Sequence, residues 1–89
     1  MQEVECTVTG RVQMVMYRDF AKRHARHSHI VGTVQNFSDG SVRVLAQGTK
    51  EQLAVFIKTL EEGPLLSKVK QVDVTWRLPT QTFQTFSIL

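Results

Sequence analysis

Thr33-Val34-Gln35-Asn36-Phe37-Ser38-Asp39-Gly40-Ser41-Val42-Arg43-Val44-Leu45-Ala46-Gln47 contains two short strand-like segments on either side of a turn. Thr33 to Phe37 and Ser41 to Gln47 flank Ser38-Asp39-Gly40, where the Asp-Gly pair supplies the positive φ that a tight hairpin needs. What brackets this hairpin decides the architecture. On its amino-terminal side, Tyr17, Phe20, Ala21, His24 and Ala25 recur at helical spacing, with Lys22, Arg23 and Arg26 on the other side. This predicts a first amphipathic helix from Tyr17 to about Ser28. Ahead of it, Val4, Cys6 and Val8 alternate with Glu5, Thr7 and Thr9, the period of a strand with one buried face, and Gly10 is expected to end that strand.

On the carboxyl-terminal side, Thr49-Lys50-Glu51-Gln52 reads as a capping box. The Thr49 hydroxyl can accept from the Gln52 amide while the Gln52 side chain returns to the Thr49 amide. Leu53, Phe56, Ile57 and Leu60 then fall at i, i+3, i+4 and i+7, so a second helix buries one stripe, and Gly63-Pro64 stops it. Val72, Val74 and Trp76 alternate with Gln71, Asp73 and Thr75 as a fourth strand, and Phe86 with Ile88 suggests a short fifth. The order β-α-β-β-α-β predicts an α+β, ferredoxin-like sandwich: an antiparallel sheet with both helices on one face.

The 89 residues are 42% hydrophobic with two prolines, and show no linker, repeat or low-complexity tract, so residues 1–89 read as one domain. The longest apolar runs are far shorter than the roughly 20 residues needed to cross a bilayer, and Met1-Gln2-Glu3-Val4-Glu5 has neither a basic head nor an apolar signal core. A protein working in the cytoplasm, away from membranes, is expected. Cys6 is the single cysteine and is expected to be a half-buried thiol on a strand; no cysteine or histidine pair has zinc-site spacing. The net charge of +3 favours anionic partners. Much of it lies between Arg18 and His27, where a solvated helix face explains it more simply than a nucleic-acid surface.

This topology serves several functions, so side chains must choose among them. An RNA-recognition module stacks bases on aromatics of its central strands, yet Val4 to Thr9 and Ser41 to Gln47 contain none. A metal chaperone needs paired soft ligands, and Cys6 stands alone beside only Met14 and Met16. His24 is expected on the apolar stripe, with His27 and His29 facing water, and none has a ligand partner one turn away. No metal and no cofactor are expected.

Val8-Thr9-Gly10-Arg11-Val12-Gln13-Met14-Val15-Met16-Tyr17-Arg18 resembles the first signature of the acylphosphatase family, a strand leading into Gly-x-Val-Gln-Gly-Val-x-Phe-Arg. Gly32-Thr33-Val34-Gln35-Asn36-Phe37-Ser38-Asp39-Gly40-Ser41-Val42, continued to Ala46-Gln47-Gly48, is similar to the second, Gly-aromatic-Val-x-Asn-x-x-x-Gly-x-Val with its trailing glycine. Ser67-Lys68-Val69 and Phe86-Ser87-Ile88 also sit where similar family residues occur. The resemblance implies hydrolysis of the carboxyl-phosphate bond of acyl phosphates to a carboxylate and inorganic phosphate, without metal, cofactor or phosphoenzyme, and nothing in it demands more than a monomer.

The residues suit that chemistry. A phosphate at a strand-to-helix turn can be held by successive main-chain amides, here those of Arg11, Val12, Gln13, Met14 and Val15, and by the positive end of the following helix. Arg18, in the first helical turn, can clamp two phosphate oxygens. Asn36, at a strand end, can orient a water in line with the leaving carboxylate. Taken singly, Arg18 is a helix-surface cation and Asn36 a turn former; as a matched pair they point to a site. Three positions depart from the pattern: Met14 replaces a glycine, Tyr17 a phenylalanine, and Thr33 an aromatic whose loss is expected to loosen packing of the second strand on the first helix. Met14 leaves a second reading open, a catalytically impaired module that binds an anion or a protein through the same loop. The expected outcome is that the main chain keeps its cradle while the Met14 side chain points to solvent.

Overall fold

The computed structural model describes residues 1–89 and runs β1 (Gln2–Arg11), α1 (Tyr17–His27), β2 (Val31–Asn36), β3 (Val42–Gly48), α2 (Lys50–Glu62), β4 (Lys68–Arg77) and β5 (Phe86–Ile88). The five strands form one sheet in the order β4-β1-β3-β2-β5. β1 is antiparallel to both β3 and β4, and β2 is antiparallel to β3. The sheet is mixed rather than wholly antiparallel, because β5 pairs with β2 in parallel. No helix is long and apolar enough to cross a membrane.

The core lies between the helices and one face of the sheet. Val4, Cys6 and Val8 of β1, Val42, Val44 and Ala46 of β3 and Val34 of β2 meet Tyr17, Ala21 and Ala25 of α1 and Leu53, Phe56 and Leu60 of α2. Cys6 is fully buried, not half-buried, since the alternation of β1 sends it into this layer, and burial pushes its thiol up to about 12. Thr33 occupies the opposite face of the sheet, paired across from Leu45, so an aromatic there has no bearing on how β2 meets α1. His24 is exposed and stacks on Phe20 at 4.5 Å rather than joining the buried stripe.

Local signals set the element ends. The Thr49 capping box forms in both directions, and Gly63 closes α2. At the hairpin, the Asp39 carboxylate accepts from the Ser41 amide and hydroxyl, which holds Asp39 below the usual carboxylate range. Gly10 does not end β1. The strand continues through a bulge at Thr9/Gly10 to Arg11, because Gly10 adopts φ 121° where a Cβ would lie 2.2 Å from the Lys68 carbonyl oxygen. That bulge delivers the chain from the sheet to the start of α1.

A second organising feature lies at the other end of the sheet. The chain from β4 to β5 passes Glu3, whose side chain is wholly buried and accepts from Arg77 Nε, Gln47 Nε2 and the Thr80 amide and hydroxyl. Burial pushes this carboxyl up, and those hydrogen bonds outweigh it, so Glu3 stays below the usual range. Removing the acceptor of a buried hydrogen-bonded cluster costs about 1–3 kcal/mol, and Glu3→Ala is expected to lose about that much in urea unfolding at pH 7, since the Arg77 left behind is partly exposed to solvent. A lowered folded pKa contributes stability that is complete above the ordinary value of 4.5 and is lost as pH falls through the folded value. The gap between wild type and Glu3→Ala therefore narrows in acid.

Candidate functional site

The end of β1, the loop before α1 and the end of β2 meet around one cleft of about 410 Å³, lined by Val12, Met14, Met16, Tyr17, Arg18, Asp19, Asn36 and Ile88. Arg18 and Asn36, far apart in the chain, are thus brought to the same cavity. Val12 and Met14 line it, whereas Arg11, Gln13 and Val15 do not. Arg11 lies within β1, opposite Lys68.

The loop carries an unusual surplus of donors. From Val12 to Asp19 no main-chain N–H finds an acceptor in the protein; the first such bond runs from the Phe20 amide to the Met16 carbonyl at 3.0 Å. The last of these amides open α1, where the helix dipole adds positive potential, and Met16 at the N-cap offers no side-chain acceptor. The run of free amides therefore continues from the loop into the helix. Met14 and Met16 both hold left-handed conformations, at φ 61° and 64°. Each costs roughly 1–2 kcal/mol for a residue with a Cβ, and alternation of this kind turns successive amides toward a common point. Met14 is 100% exposed. Its side chain stands at the rim and leaves the cleft open, so the substitution for glycine keeps the loop's shape at the expense of strain.

Gln13 and Tyr17 hold the loop in place, and an ion pair within α1 neutralises Asp19 beside it. Gln13 Nε2 donates to the carbonyls of Phe37 and Ser41, at 2.7 and 2.9 Å, tying the loop to the hairpin beside Asn36. Tyr17 Oη donates to the Leu60 carbonyl at 2.6 Å, fixing the start of α1 to the last turn of α2, and burial keeps this phenol protonated by pushing it up. Arg23 Nε lies 3.0 Å from Asp19 Oδ2, which turns the one carboxylate of the cleft toward a cation of its own. In the sequence Gln13 reads as a main-chain donor only, because nothing local marks its side chain as a tether.

Arg18 has no salt bridge or hydrogen bond within the protein although it is only partly exposed. Asn36 Oδ1 is buried and accepts from no protein group. A guanidinium and an amide oxygen left free on one cleft, beside a run of free amides, are suited to an oxyanion and a small donor molecule.

The sequence model of the acylphosphatase family matches residues 4–88. The chain belongs to the acylphosphatase family. It is 40% identical over 87 residues to an acylphosphatase of Salinibacter ruber, covering 98% of this chain and 92% of that protein. It is 42% identical over 89 residues to one of Leuconostoc mesenteroides, covering 99% and 98%. The crystal structure of acylphosphatase from Bacillus subtilis superposes with a TM-score of 0.97 at 34% identity, covering 100% of this chain and 99% of that one. The protein is an acylphosphatase, a hydrolase of acyl phosphates, and the ferredoxin-like α+β fold expected from the order of its elements is the fold of the family.

Proposed function

We propose that the amides between Val12 and Asp19, together with the Arg18 guanidinium, hold the phosphoryl group of an acyl phosphate, and that Asn36 holds the water that attacks it. The observation carrying this reading is one cleft whose lining brings residues with free main-chain donors, Val12, Met14 and Met16 to Asp19, together with a buried amide oxygen that accepts from no protein group. The donors suit the three equatorial oxygens of a transferring phosphoryl group, whose charge they meet without having to reorganise. Asn36 Oδ1 is suited to accept from a water and to aim its lone pair at phosphorus.

The reaction then needs little else. The water oxygen bonds to phosphorus as the bond from phosphorus to the acyl oxygen breaks, and the electron pair leaves with the carboxylate. A proton of the water passes to a phosphoryl oxygen. Because a carboxylate is a good leaving group, no general acid is needed, and a neutral carboxamide suffices because positioning and charge stabilisation carry the rate. The substrate is a small acyl phosphate and the products are a carboxylate and inorganic phosphate.

Hydrolysis of acetyl phosphate in ¹⁸O-labelled water tests the direction of attack. The label is expected in phosphate, read by mass spectrometry. Label in acetate would mean attack at the carbonyl carbon and would remove the role given to Asn36.

A further inference from the structure

Four large apolar side chains stand exposed beside the cleft: Met14 at 100%, Met16 at 72%, Leu65 at 96% and Leu66 at 71%. Single exposed apolar residues are ordinary; a group of them adjoining a catalytic cleft is the mark of a ligand surface. They line a second cavity of about 310 Å³, completed by Val15, Pro64 and the Arg23 side chain, which meets the catalytic cleft at Met14 and Met16. Packing of the fold does not account for this arrangement. The Met14 side chain touches solvent all round, yet the chain keeps it at a left-handed φ where glycine would be free of strain.

The direction of the reaction gives the surface an occupant. In-line displacement puts the entering water and the leaving carboxylate on opposite sides of phosphorus. Asn36 ends β2, while Leu65 and Leu66 lie in the turn that leads into β4. The order β4-β1-β3-β2-β5 sets those two elements on opposite sides of the β1 exit from which the phosphate loop springs. A water on the Asn36 side therefore sends the acyl group toward Leu65 and Leu66, across Met14 and Met16.

We infer that Leu65 and Leu66, with the side chains of Met14 and Met16, form an apolar shelf for the acyl group, so that this enzyme favours acyl phosphates with an extended aliphatic chain over acetyl phosphate. This rests on the reading that the phosphoryl group sits between Val12 and Asp19. Methionine suits such a shelf, since its unbranched thioether adapts to chains of different shape. Contacts with the acyl chain persist unchanged between bound substrate and transition state, so they lower KM and leave kcat alone.

Acetyl, butanoyl and hexanoyl phosphates release carboxylates of nearly equal basicity, so their kinetics separate binding from chemistry. From acetyl to hexanoyl phosphate KM is expected to fall by about tenfold, the low end of discrimination by an apolar pocket because the shelf is open, with kcat constant. In Leu65→Ser/Leu66→Ser, whose replaced side chains are exposed, KM for hexanoyl phosphate is expected to rise to the acetyl value while acetyl phosphate kinetics stay as in wild type. Calorimetry with hexylphosphonate and methylphosphonate provides the same comparison without turnover, and the hexyl preference is expected to vanish in the double variant. A KM that is flat along the series, or a double variant that weakens both phosphates equally, overturns the shelf while leaving the hydrolase reading intact. No turnover by wild type on any of the three substrates, with its preference for hexylphosphonate present and lost in the double variant, supports the shelf and overturns the catalytic roles instead.

Discussion

Arg18→Gln is expected to lower kcat/KM for acetyl phosphate by about a thousandfold, the scale on which a single preorganised donor or an arginine acting on a phosphoryl group contributes. Glutamine keeps a donor but loses both the charge and the fork that meets two oxygens at once. Inorganic phosphate, measured as a competitive inhibitor, should bind at least tenfold more weakly. Because Arg18 makes no ion pair or hydrogen bond within the protein, no polar contact of the fold is lost with it, and the urea midpoint should stay close to that of wild type. Activity lost together with stability would mean that the guanidinium supports the loop rather than the substrate.

Asn36→Ala separates the second half of the mechanism from the first. kcat is expected to fall by about a hundredfold or more as the attacking water loses its orientation, while inhibition by inorganic phosphate is unchanged. Stability should stay near that of wild type, because Asn36 Oδ1 accepts from no protein group and its proposed partner is a water of the cleft. A variant that is slower without being less stable is the signature of a residue kept for chemistry rather than for folding. An unaltered rate in Asn36→Ala would assign the water to another group.

The parts of the fold that were readable from sequence are those written locally. Asp39-Gly40 makes its turn with its own neighbours, Thr49 and Gln52 cap each other three residues apart, and the period-2 and period-3.6 patterns of Val4 to Val8 and Leu53 to Leu60 reflect burial on one face. What was not readable depends on distant partners. Glu3 looks like one more solvent-facing residue of an alternating strand until the crossing from β4 to β5 brings Thr80 and Gln81 over it and the Gln47 amide. The parallel pairing of β5 rests on three residues whose partners in β2 lie more than fifty positions away.

The site divides along the same line. Arg18 and Asn36 could be named because the two motifs that carry them have distinctive spacing, and Met14 because it stands where glycine is expected. Met16 gave no warning of its left-handed φ, since a strain imposed by the path from β1 to α1 has no signature in the side chain that bears it. Gln13 was placed correctly in the loop, but its contact with the Phe37 and Ser41 carbonyls needs the hairpin folded beside it. The Tyr17 to Leu60 bond likewise joins two helices whose packing no local pattern specifies.

If main-chain donors between Val12 and Asp19 bind the phosphoryl group on the cleft shared by Arg18 and Asn36, inorganic phosphate titrated into ¹⁵N-labelled protein will report it amide by amide in NMR spectra. The largest shifts are expected on Gln13 to Asp19 and on the Arg18 side chain, saturating together with one affinity. Shifts centred instead on the basic face of α1 around Arg23, His24 and His27, with the loop amides unmoved, would place the anion elsewhere and rule out the cradle.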